Sequence, residues 1–104
     1  MRDLVKALAE SNVQHRERLE LGMDAYARLA RILMDEGKLE DALGAANDGL
    51  AFGAEVADDS LFAGYLHQIK GDILRTRGDD RGAVDAHKEA ITVFKAILDA
   101  QPNP

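Results

Sequence analysis

Ile32-Leu33-Met34-Asp35-Glu36-Gly37 returns 41 residues later as Ile73-Leu74-Arg75-Thr76-Arg77-Gly78. Each stretch carries apolar residues at helical spacing up to a glycine. A glycine just past the last periodic residue can take the left-handed conformation that closes a helix at little cost. The same shift sets Ala42 over Ala83 and Ala45 over Ala86, so each glycine is followed by a polar turn and a new helix with alanine near its start. Self-similarity at a fixed spacing of this size marks a repeat architecture whose unit is a helical hairpin.

Working outward, Leu19, Met23, Tyr26, Leu29, Ala30, Leu33 and Met34 recur in steps of three and four, which predicts a helix over Arg2–Glu36. Ser11 followed by Gln14 resembles a capping box. It divides the reading between a short separate helix over Arg2–Glu10 and one long helix. A second helix is expected over Leu39–Ala57, with Ala42, Ala45, Ala46, Gly49, Phe52, Gly53 and Val56 facing inward. Asp58-Asp59-Ser60 is a helix-start signal, because a side-chain oxygen there can accept from an orphan amide. The third helix is expected over Leu61–Arg77, with Leu66, Ile69, Ile73 and Leu74 inward and Arg75 and Arg77 suiting its negative end. Asp79 or Asp80 caps a fourth over Arg81–Ala100, whose inward stripe reads Val84, Ile91, Phe94, Ile97 and Leu98. The organisation is thus one domain over 1–104: an N-terminal extension (1–18), two repeats (19–57 and 58–100) and a frayed tail (101–104). The fold class is all-α, four main helices with a possible extra one at the N-terminus.

Composition agrees. The two prolines, Pro102 and Pro104, lie in the tail, and aromatics make up only 5% of the 104 residues. That favours helix over strand. No cysteine is present, which excludes disulfides, thiolate catalysis and cysteine-ligated zinc. No apolar run approaches the roughly 20 residues of a membrane span, and the first residues lack the apolar run of a signal peptide; a cytoplasmic protein is expected. The net charge is −6, with six carboxylates against one lysine between Lys38 and Asp59. A nucleic-acid binder needs a basic footprint, and no such stretch occurs.

These residues resemble the tetratricopeptide repeat family, whose pattern opens W-x2-L-G-x2-Y and continues with A-x3-F. Tyr26, Leu29, Ala30 and Leu33 hold the four opening places, then Ala42 and Ala46, with Gly49 a turn further on. In the second copy His67, Lys70, Gly71 and Leu74 open, followed by Ala83, His87 and Ala90. Lys70 departs from leucine, neither Ala46 nor His87 is a large aromatic, and the 41-residue spacing exceeds the usual period of about 34. The longer period is similar to the variants of kinesin light chains and some bacterial regulators. The resemblance implies hairpins stacked as a superhelix and a groove lined by the first helices. It points to Asp24, Arg31, Met34 and Asp35, with Ala27, in one copy and Tyr65, Gln68, Asp72 and Arg75, with Thr76, in the other. Ala30 and Gly71 would stand where each first helix meets its second. Gly64, early in the third helix, is expected to accept alanine.

Signatures of catalysis are missing. There is no phosphate-binding G-x-x-x-x-G-K-[ST] loop and no G-x-S-x-G elbow. His15, His67 and His87 lack a carboxylate or histidine at metal-binding helical spacing. Asp58-Asp59 and Asp79-Asp80 read as caps. The expectation is a non-enzymatic protein-interaction module with no cofactor and no metal, binding a protein or peptide, with no nucleic acid and no membrane. The alternatives are a self-assembling structural unit and, behind it, a small helical-bundle enzyme or metal carrier. Self-association is expected as a homodimer through the fourth helix, on some of Ile91, Phe94, Ile97 and Leu98, or through the N-terminal helix.

Overall fold

A computed structural model describes residues 2–101; the rest of the expected tail, Pro102–Pro104, lies outside them. The described residues form four α-helices: α1 (Arg2–Asp35), α2 (Leu39–Phe52), α3 (Leu61–Arg77) and α4 (Asp80–Ala100), with a 3-10 turn over Ala54–Val56 between α2 and α3. α1 pairs with α2 and α3 with α4 as hairpins, and α3 packs on both α1 and α2. The fold is all-α, as the repeat implies.

The two hairpin turns are the same object. Gly37 and Gly78 have φ of 79° and 95°, the only positive values among the described residues. The Gly37 N–H donates to Met34 O at 2.9 Å and the Lys38 N–H to Leu33 O at 2.9 Å. Shifted by 41, the Gly78 N–H donates to Arg75 O at 3.0 Å and the Asp79 N–H to Leu74 O at 2.8 Å. This pair of bonds satisfies carbonyls that the end of a helix leaves free. A Cβ at either glycine would meet no neighbour within 4 Å, so backbone conformation alone requires glycine there. The Asp79 carboxylate caps α4 by accepting from the Gly82 N–H at 2.9 Å.

The core is built from small residues punctuated by a few large ones. Met23, Leu66 and Ile73 are fully buried, as are Ala30, Ala42, Ala46 and Ala63. Each large side chain so buried is worth about 1.5–3 kcal/mol, and the alanines let the helices approach closely enough to bury it.

One alternative left open by the sequence is decided, and three boundaries or facings differ from expectation. α1 is one helix: Ser11 and Gln14 lie inside it and cap nothing. α2 ends at Phe52 and not at Ala57, because Gly53 is buried under the Met23 side chain and the chain tightens there into the 3-10 turn. On α4 the buried residues are Ala83, Ala86, Ala90 and Val93, while Val84, Ile91 and Leu98 face out. The helix packs through its small stripe, which rotates the large apolar stripe toward solvent. Gly64 is not an open position: an added Cβ would lie 2.5 Å from the Phe94 ring.

The link between hairpins is fastened to α1. Ser60, buried, caps α3 by accepting from the Phe62 N–H at 3.2 Å and donates its own hydroxyl to Glu20 at 3.1 Å. Arg16 donates to Glu20 at 3.0 Å and to Asp59 at 3.0 Å. The bond to Asp59 raises the Arg16 pKa above its ordinary value. His15 meets Glu55 at 3.1 Å. Upstream of Arg16, every residue from Arg2 to His15 is exposed.

Candidate functional site

α1 and α3, the first helices of the two hairpins, form the banks of a shallow groove of about 610 Å³. Ala27, Arg28, Arg31 and Ile32 line it from α1, and Tyr65, Gln68 and Ile69 from α3. Its apolar part is made by Ala27, Ile32, Ile69 and the exposed Tyr65 ring. That ring is held edge-on between Phe62 and Phe94, with centroids 6.4 and 5.8 Å away.

Two cations stand in this groove, and they differ. The Arg28 guanidinium donates to Asp24 at 3.2 Å, one helical turn back, which neutralises much of it. Arg31 is exposed and has no carboxylate partner among the described residues. A guanidinium is a planar fork of donors suited to carboxylates and carbonyls. Beside an apolar floor, it offers one charged and one hydrophobic contact about a turn apart.

Of the residues expected to face a partner, Arg31, Tyr65 and Gln68 come together here. Asp24 is drawn off to Arg28. Met34 is half-buried and packs on the core. Asp35 is exposed at the last turn of α1. Asp72 turns toward α4, 3.5 Å from His87 Nε2 and 3.7 Å from Arg75. Arg28 and Ile32 line the groove although only their neighbours were expected to. The signal was there: in a helix, the residue after each expected position lies 100° round, still on the rim of a shallow groove.

On α4, Ile91 and Leu98 are exposed, whereas Phe94 is half-buried over Gly64 and Ile97 half-buried on the core. His67 is half-buried between α3 and α4, and that burial lowers its pKa below the ordinary histidine value. No helix among the described residues is long and apolar enough to cross a membrane.

A sequence profile described as a tetratricopeptide repeat-like domain matches residues 3–99. The chain belongs to this family. The match takes in both hairpins and nearly all of α1. No match was found among curated proteins or among solved structures. Tetratricopeptide-like repeats serve as protein-interaction scaffolds, and it is the groove of this one that its first helices define.

Proposed function

We propose that this tetratricopeptide-like domain is a non-catalytic, cytoplasmic interaction module that holds an extended peptide segment of a partner protein in the α1–α3 groove. The observation that supports this most directly is Arg31. It is an unpaired cation beside an apolar floor, in a chain whose net charge is −6. The peptide it suits is acidic, with an aliphatic or aromatic residue placed about one turn from its carboxylate. Tyr65 presents a flat face to that residue, and Gln68 can bond the peptide backbone in either direction.

Selection from a random peptide library on the immobilised protein tests the reading. Selected peptides are expected to carry a carboxylate and a large apolar residue. Arg31→Glu and Tyr65→Ala should each weaken them at least about tenfold, a loss of about 1.4 kcal/mol. Peptides that bind both variants as tightly as the parent would place the site elsewhere.

A further inference from the structure

The stack has two end faces, and the internal repeat shows what each fits. Within the chain, Leu66 of α3 reaches Gly49 of α2, and Leu43 of α2 packs on Leu74, Ala83 and Ala86 of the second hairpin. Leu43 and Leu50 are partly buried by this junction. Their counterparts at the 41-residue shift are Val84 and Ile91, which stand 51% and 65% exposed. Leu98, two turns beyond Ile91, is 66% exposed. At the other end, α1 carries the counterpart of the covering face. Ile32 stands for the buried Ile73 and Leu21 for Phe62, yet Ile32 is 55% exposed. Each end is therefore half of a junction whose complete form is already present once in the molecule.

We propose that the protein stacks head to tail, the α1 face of a second copy lying on Val84 and Ile91 of the first as α3 lies on α2 within one chain. Helix lengths support this pairing. α1 has 34 residues against 17 in α3, and α4 has 21 against 14 in α2. Inside the chain, α2 must stop and turn to reach α3. By contrast α4 runs on past the end of its counterpart, and α1 begins well before that of its own. Both overhangs lie at the same end of the junction, where Leu98 meets the second copy's α1. Stacking also continues the groove, since the α1 bank of the second copy follows the α3 bank of the first.

Light scattering on three proteins decides the matter: wild type, Ile91→Glu and Ile32→Glu, both substitutions being at exposed positions that leave helicity intact. Wild type is expected to exceed the monomer mass at high micromolar concentration, and each variant to be a monomer. An equimolar mixture of the two variants should then form a single species of two chains, because each supplies the face the other has lost. A monomeric wild type would overturn the proposal. So would a mixture that stays monomeric, or an Ile32→Glu protein that still dimerises, which is the signature of two-fold pairing through α4 alone.

Discussion

The two hairpins solve one packing problem with opposite distributions of bulk. Where the first helix crosses the end of the second, hairpin one sets Met23 against Gly53, and hairpin two sets Gly64 against Phe94. The positions are the same at the 41-residue shift, and large and small have changed sides. About two turns further along the first helix, hairpin one has Ala30, set with Ala46, both fully buried. Hairpin two has Gly71 beneath His87, whose Nε2 lies 2.6 Å from where a Cβ would be. What is kept between the copies is at least one small residue in each pair, because a small residue lets the two helices come close. Identity at either position is free to drift as long as its partner compensates. In hairpin two it is Gly71 that leaves the room the His87 ring fills.

The comparison breaks most visibly at Gly71. Gly71→Leu should cost about 2–3 kcal/mol through overpacking, seen as a fall in Tm of roughly 10–20 °C for a domain of this size. The sharper experiment converts hairpin two into hairpin one. Gly71→Ala and His87→Ala should each destabilise, while the double variant recovers at least about 1 kcal/mol relative to their sum. Strict additivity in the thermal or urea unfolding of these variants would show that the two pairs are not equivalent.

A smaller effect separates glycines that are closely approached from those that are not. Gly64→Ala forces the Phe94 ring aside and should destabilise by about 1 kcal/mol. Gly44, exposed within α2, has nothing within 4 Å of an added Cβ. Gly44→Ala should therefore stabilise by about 0.5–1 kcal/mol through helix propensity alone. Equal shifts in Tm for the two would remove the distinction between them.

The hairpin turns, the cap at Ser60 and the extent of α3 were legible in the sequence, because each depends on a local signal: a glycine required by its φ, a serine oxygen near an amide. The facing of α4 was not. Its large apolar residues form a clean helical stripe, and a stripe of that kind is ordinarily buried. Here the alanines decide the facing, since only small side chains let α4 come close to α3. The alignment of Ala83, Ala86 and Ala90 with Ala42, Ala45 and Gly49 held the correct answer; apolar size pointed the other way. In the groove, Arg31, Tyr65 and Gln68 were placed together by the family resemblance, whereas the diversion of Asp72 to His87 depends on a contact between helices that no local pattern reveals.

The smallest expected effect concerns His67, which has no histidine counterpart in the first hairpin, where Tyr26 stands. Burial lowers its folded pKa below the unfolded value of about 6.5. The folded state therefore prefers the neutral ring. The associated stability is present above pH 6.5 and is lost as pH falls through the lower folded pKa. His67→Gln should shrink the difference in Tm between pH 7.5 and pH 5.5, and an unchanged difference would mean the ring is solvated after all.

The fastening of the inter-hairpin link to α1 bears on the order in which the chain can assemble. Most helix contacts join neighbours in sequence, so each hairpin can form from local encounters, the fast regime of folding. Arg16 to Asp59 and Glu20 to Ser60 instead join residues 43 and 40 positions apart. These bonds close only once the link and the start of α3 have been laid against α1. Contacts that arrive after the rate-limiting barrier act on the rate of escape from the native state and leave the rate of entry unchanged. Substitutions in the Arg16–Glu20–Ser60 cluster are therefore expected to speed unfolding more than they slow folding, as stopped-flow kinetics would read.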